Sequence, residues 1–253
     1  MPLRPTILRF DSLPSTNTEA ARQALRGAPE GLCVVAREQT EGRGRQERVW
    51  VSPLDSGLYF SIILRPQFAM TAWPLITLMA ALAVADALSA ACAISVDIKW
   101  PNDIYAGDRK LGGILAETVE TGTGRACVVG IGINLNSRAF PPDLLDAATS
   151  IESLTGSGTD VERLLQALTR AVERRYETLQ SRAGQEQTIR DWSQRSSYAQ
   201  GKRVRVSLAE EIFEGTTRGL EPDGALRVET DGGVTRTVRA GDVTALRASR
   251  EKA

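Results

Sequence analysis

A chain of 253 residues, 42% of them hydrophobic, can bury roughly 70–75% of its unfolded surface in one or two domains, so it needs no disulfide or metal staple to fold. Thirty-one Lys and Arg balance thirty-one Asp and Glu, which argues against attachment to nucleic acid by bulk charge. Histidine is absent, and that excludes a Ser-His-Asp triad, a Cys-His dyad, an HExxH zinc site and every imidazole acid–base step.

Ile7 to Phe10 reads as a short first strand. Thr16 and Glu19 have the spacing of a capping box, which predicts a helix to about Leu25 that stops at Gly27. Leu32 to Arg37 is strand-like. No apolar period survives from Glu38 to Arg48, so that stretch is a loop, and Leu58 to Leu64 returns to strand. The uncharged run Pro66 to Ala85 approaches membrane-spanning length, but Pro74 interrupts it and Asp86 follows at once. A buried helix from Pro74 to about Ala91 is expected instead, with proline in its first turn.

Ile94 to Trp100, Lys110 to Thr118 and Ala126 to Leu135 are predicted strands of a meander, with turns at Ala106–Arg109 and Thr121–Gly124. A second capping box, Thr159 with Glu162, predicts a helix to about Gln180 that buries Val161, Leu164, Leu165, Leu168 and Val172. Another helix is expected over Gln185 to Tyr198. Beyond Gly201 four short alternating runs (202–206, 212–217, 225–229 and 234–239) read as a small β-barrel. The expected organisation is an α+β domain over 1–199 followed by an all-β domain over 200–253.

Cys33, Cys92 and Cys127 are odd in number, far apart and without CxxC spacing, which predicts a reduced, cytoplasmic protein. Only four cations are lysines (Lys99, Lys110, Lys202 and Lys252) against twenty-seven arginines. Where the chain habitually writes Arg, a retained lysine suggests that a compact ammonium is wanted rather than a planar fork.

Four segments could carry chemistry. Gly42-Arg43-Gly44-Arg45 with Arg48 sets three guanidiniums and two glycines where a backbone could fold around a carboxylate or phosphate; alone it is equally a solvated basic loop. Lys99-Trp100-Pro101-Asn102-Asp103 offers short polar arms at a rigid corner, or an ordinary Asx turn around a partly buried Trp. Lys110-Leu111-Gly112-Gly113 puts paired glycines, a mark of close approach, after a lysine; its plain alternative is a hairpin-end surface lysine. Gly130-Ile131-Gly132-Ile133-Asn134 lacks a following helix and a GK[ST], so Rossmann and P-loop readings fail. Asn134 is either a ligand contact or a satisfied strand-end amide.

In this order, together with Ser15-Thr16-Asn17, Gln39 and Trp50, these segments resemble the biotin protein ligase family across nearly the whole chain. The resemblance implies a mixed sheet flanked by helices and a C-terminal SH3-like barrel. It implies a ligase that joins biotin to ATP, giving biotinyl-5′-AMP and pyrophosphate, and then acylates a lysine of a biotin carboxyl carrier protein. Such chemistry suits a chain without histidine, because the attacking carboxylate is already ionised and the barrier is charge gathering on phosphate oxygens. By the same resemblance, Ser15, Thr16, Asn17 and Gln39 bind the ureido end of biotin. Arg43, Gly44 and Arg45 close over the ligand beside Gly113, with Lys110 and Arg45 as catalytic cations. Arg48, Trp50, Lys99, Asn102, Asp103, Asn134 and Arg247 would contact ATP, and Asp103 would hold Mg²⁺.

Glu47 departs from the family pattern, standing where a glycine is usual; it is expected to pin the empty loop or to weaken ATP binding. Only fourteen residues precede Ser15, too few for the winged-helix repressor domain of the bifunctional class, so a monofunctional enzyme with no DNA or membrane partner is expected, a homodimer being left open. Two rivals stay open: a lipoate or octanoate ligase or transferase of the same fold, though its RRxSGGG-type loop is absent, and a non-catalytic RNA-binding protein. Against the second, aromatics are 5% of residues and do not cluster by the arginines.

Overall fold

A computed structural model describes residues 3–138 and 140–246. The chain folds as β1 (Thr6–Leu13), α1 (Thr16–Leu25), β2 (Leu32–Gln39), β3 (Gly57–Leu64) and α2 (Pro74–Cys92), followed by β4 (Asp97–Lys99), β5 (Asp103–Ala106), β6 (Arg109–Thr121) and β7 (Gly124–Asn134). Helices α3 (Ile151–Thr155), α4 (Val161–Leu179) and α5 (Arg182–Arg195) come next, then strands β8 (Gln200–Ser207), β9 (Ile212–Leu220), β10 (Leu226–Thr230), β11 (Thr235–Val238) and β12 (Asp242–Ala245).

Seven strands form one sheet in the order β1-β2-β3-β7-β6-β5-β4. The β1–β2 pair is parallel and the rest antiparallel, so the sheet is mixed, as expected. Helix α1 covers one face: Ala20 and Ala24 pack on Val34, Ile63 and Val128. The main core lies on the other side, where α2 is wedged between the sheet and α4. Twelve of the nineteen α2 residues are buried, which accounts for its largely apolar composition without a membrane. The remaining five strands make a small antiparallel sheet of SH3-like type in the order β11-β10-β9-β8-β12.

The two expected capping boxes each shift by one residue. Ser15, not Thr16, is the N-cap of α1, its extended backbone letting Oγ accept from Thr18 N; Glu19 turns aside to Arg22 and Gln23. At α4 the cap is Asp160, which accepts from Arg163 N at 3.0 Å, and not Thr159. Val161 consequently stands at the helix mouth, 41% exposed, instead of joining the core. The strand expected over 94–100 is regular only at Asp97–Lys99. Two four-residue strands, β5 and β12, escape the sequence reading altogether.

Candidate active site

Strand alternation sends every second side chain of β7 to the same face. Ile131 and Ile133 go into the core, while Gly130, Gly132 and Asn134 face the opposite way. The two glycines are there because side chains lie flat on them. A Cβ at Gly130 would overlap the Asn17 amide, and one at Gly132 would come within 2.7 Å of the Trp50 indole. Register pairs Gly113 of β6 with Gly132, and Asp103 of β5 with Gly113, so both strands present the same face.

A cavity of about 280 Å³ opens on that face. Fourteen of the sixteen candidate residues line it: Ser15, Thr16, Asn17, Gln39, Arg43, Gly44, Arg45, Arg48, Trp50, Asn102, Asp103, Lys110, Gly113 and Asn134. Lys99 stands just behind the lining, and Arg247 lies outside the described residues.

The first turn of α1 builds a polar pocket. Gln39 Oε1 accepts from Thr16 N at 2.8 Å and from Thr16 Oγ1 at 3.1 Å, and its Nε2 donates to Ser52 Oγ at 2.9 Å. Ser61 Oγ lies 2.8 Å from Thr16 Oγ1 and 2.6 Å from Asn17 Oδ1. Asn17 Nδ2 donates to Leu115 O at 3.1 Å and to Glu117 Oε2 at 2.7 Å. Ser15, Thr16 and Asn17 are all buried. Such an array of fixed donors and acceptors on buried side chains suits a compact, neutral, polar group.

Further along the same face the site becomes cationic. Lys110 Nζ lies 2.6 Å from Asp103 Oδ1 and 5.3 Å from the Trp50 ring centroid. Lys99 Nζ sits 3.9 Å from Asp103 Oδ2, and burial pulls its pKa below the usual lysine value. Burial likewise lowers the Arg45 guanidinium, which donates to Asn102 Oδ1 at 3.3 Å and has no carboxylate within 4 Å among the described residues. Arg48 donates to Asp242 Oδ2 at 2.5 Å. Burial works against the charge on Asp242, but the bond from Arg48 and the nearby Lys99 and Arg45 outweigh it and hold the carboxyl below its ordinary pKa. These cations outnumber the two carboxylates set among them, Asp103 and Asp242, which leaves room for an anionic ligand.

The corner Lys99–Asp103 turns through a cis Trp100–Pro101 peptide. Trp100 is fully buried, not partly exposed, and its Nε1 donates to Gly224 O at 3.0 Å in the turn between β9 and β10. Asn102 is clamped to β6 by Nδ2 donating to Ile114 O at 2.7 Å. Asn134 spends its amide on Thr149 O at 3.0 Å, so the strand-end role is filled while Oδ1 stays available. Gln46 and Glu47 take left-handed conformations at φ 54° and 60°. Glu47 makes no ion pair within 4 Å among the described residues, so it pins none of the arginines; what it contributes is a side chain where glycine is favoured.

Sequence reasoning missed Tyr105, Glu117 and Asp242. Glu117 was within reach, since period-two spacing from Gly113 puts it on the same face. Asp242 was not, because its strand β12 joins the sheet only by pairing with β8 across 35 residues.

The chain matches two family models: the biotin/lipoate A/B protein ligase family over residues 9–134, and the biotin protein ligase C-terminal domain over 200–244. It is 38% identical to a bifunctional ligase/repressor of Bacillus spizizenii, over 88% of this chain and 69% of that one. It is 34% identical to a biotin–[acetyl-CoA-carboxylase] ligase of Mycobacterium tuberculosis, over 92% of this chain and 86% of the other. Among solved structures, one from Aquifex aeolicus in complex with biotin and ATP superposes with a TM-score of 0.83 at 28% identity, covering 96% of this chain and 99% of that one.

Proposed function

The chain belongs to the biotin protein ligase family, and on that premise we propose that it is an ATP-dependent ligase that activates biotin as biotinyl-5′-AMP and passes the acyl group to a carrier-protein lysine. The observation that carries this reading is one continuous cavity with a neutral polar pocket at Gly130 and a cation cluster around Asp103, bridged by Trp50 lying flat on Gly132. A ligand that is a polar ring at one end and an anion at the other matches that lining.

In the first step an oxygen of the biotin carboxylate bonds to the α-phosphorus of ATP, and the bond to the β-phosphate oxygen breaks, releasing pyrophosphate. No proton need move, which fits a site without histidine. Ser15, Thr16, Asn17 and Gln39 hold the ureido ring. Lys110 and Arg45 bring carboxylate and α-phosphate together and neutralise the charge that builds on the phosphate oxygens. Arg48 and Lys99 serve the outer phosphates, Trp50 and Asn134 the nucleoside. In the second step the carrier lysine, as neutral amine, bonds to the acyl carbon, the bond from that carbon to the AMP phosphate oxygen breaks so that AMP leaves, and the nitrogen gives up one proton to solvent.

The described residues include no cluster of three or more His, Cys, Asp or Glu that could cage a metal. Asp103, with Asn102 beside it, fits instead the one- or two-ligand manner in which Mg²⁺ is held together with substrate phosphates, where it would supply positive charge to the triphosphate. We assign the protein to the cytosol, in keeping with three free cysteines. The acyl acceptor is taken to be a biotin carboxyl carrier domain, with neither DNA nor membrane as partner.

The test is incubation with ATP, Mg²⁺ and biotin. Biotin-dependent ATP–pyrophosphate exchange and a co-purifying biotinyl-adenylate are expected, with none from lipoate. Exchange driven by lipoate, or salt-sensitive RNA retention without any adenylate, would overturn the assignment.

A further inference from the structure

Glu117 lies four residues beyond Gly113 on the same face of β6, just outside the cavity lining and outside every motif that identifies the site, where it bonds two lining residues. A single carboxylate oxygen, Oε2, accepts from Asn17 Nδ2 at 2.7 Å and from an Arg43 guanidinium nitrogen at 2.9 Å. Asn17 belongs to the floor of the polar pocket, and Arg43 to the loop over its mouth. We propose that Glu117 is a positioning residue that couples these two, so that closure of the loop and orientation of the pocket amide share one acceptor. The proposal deepens the biotin reading above and rests on it.

Both sides of the coupling follow from chemistry. The two partners of Asn17 Nδ2, the Glu117 carboxylate and Leu115 O, can only accept, so the amide NH₂ must face β6 and Oδ1 must face Ser61. Asn17 is 3% exposed, so an amide turned the wrong way would bury an unmatched donor. Arg43, by contrast, is half exposed, and Glu117 is its one carboxylate partner within 4 Å among the described residues. An isolated pair of that kind contributes little. Joined through Glu117 to a buried amide, it becomes the far end of a hydrogen-bonded chain that runs from Ser61 to the loop.

The isosteric change Glu117→Gln separates the functions. Its carbonyl oxygen can still take the Asn17 amide, while the charge that holds Arg43 is gone. The experiment is a cycle of wild type, Glu117→Gln, Arg43→Gln and the double variant in biotin-dependent ATP–pyrophosphate exchange, with thermal melts on each. Each single variant should raise the KM for biotin by about five- to tenfold with kcat within about twofold, and the double variant should add less than about twofold to the Arg43→Gln value. Glu117→Asp, one methylene short of spanning both partners, should fall between wild type and Glu117→Gln.

If Arg43→Gln leaves the biotin KM untouched, the reading of the loop itself fails. If Arg43→Gln raises it but Glu117→Gln does not, or if the two effects simply multiply, the coupling is refuted. A Glu117→Gln variant whose kcat falls with its melting point at unchanged KM would equally overturn the proposal, since that is the mark of a merely structural residue.

Discussion

Replacing Lys110 tests the centre of the proposed chemistry. Its side chain is 31% exposed, and its ammonium lies 2.6 Å from Asp103 Oδ1 and over the Trp50 ring. A unit charge about 4 Å away at an effective dielectric near 20 is worth about 4 kcal/mol. Partial exposure and the Asp103 carboxylate discount that, to about 3 kcal/mol for the transition state, or roughly a hundredfold in rate. Lys110→Ala should therefore lower kcat/KM in biotin-dependent pyrophosphate exchange by about 10²- to 10³-fold. The fold should persist, because the backbone bonds of residue 110 to Ala147 and Thr149, both 2.9 Å, do not involve the side chain. Lys110→Arg is the sharper probe. It keeps the charge, but the longer planar fork would chelate Asp103 in a bidentate way and draw the cation off the point where two anions must meet. A loss of tenfold or more is expected on that ground. An Arg variant within about twofold of wild type would show that charge alone suffices and that the scarcity of lysine carries no meaning at this position.

Relief of the left-handed strain at residue 47, worth about 1 kcal/mol, should let Glu47→Gly close the loop more readily and lower the KM for ATP by up to about fivefold; an unchanged KM would count against it. Gly132→Ala drives a methyl group within 2.7 Å of the Trp50 indole, so a stability loss of about 1–3 kcal/mol and a raised KM for ATP are expected from melting curves and exchange kinetics. Wild-type affinity there would mean that the indole does not bear on the nucleotide. Asp86, which links α2 to Arg175 of α4 and Arg195 of α5, is opposed by burial, yet bonds from both arginines hold its pKa below the ordinary value. Its stabilisation is thus fully present above the unfolded-chain value near 4 and drains away as pH falls through the lower folded value. Asp86→Asn should cost about 2 kcal/mol at pH 7, and the gap from wild type should narrow in acid melts below about pH 4.

The chain's local chemistry was legible wherever a period or a turn residue had only one interpretation. The alternation of Gly130, Gly132 and Asn134 against Ile131 and Ile133 already separates a ligand face from a core face, although the GxG alone points nowhere. Both caps slipped by one residue for one reason. The S/T-x-x-E spacing fits Thr16 and Thr159, but the residue that caps is the one whose backbone is extended at the junction, and that is settled by how the preceding chain arrives. β5 and β12 were illegible because each starts directly after turn residues, Pro101-Asn102 and Gly241, which mask a four-residue run; hydrogen bonds to β4 and β6, and to β8, make them strands.

By itself the sequence determined the kind of chemistry available. Without histidine, with arginine nearly everywhere and lysine kept at two sensitive places, the chain could be read as neutralising phosphate charge, because residue type and spacing survive without coordinates. Tertiary structure alone decided which charges meet. Asp242 reaches Arg48, and Glu117 reaches both Asn17 and Arg43, across 194, 100 and 74 residues of chain. Contacts at such separations depend on strand register and sheet order, which the hydrophobic pattern constrains only through the packing of the whole fold.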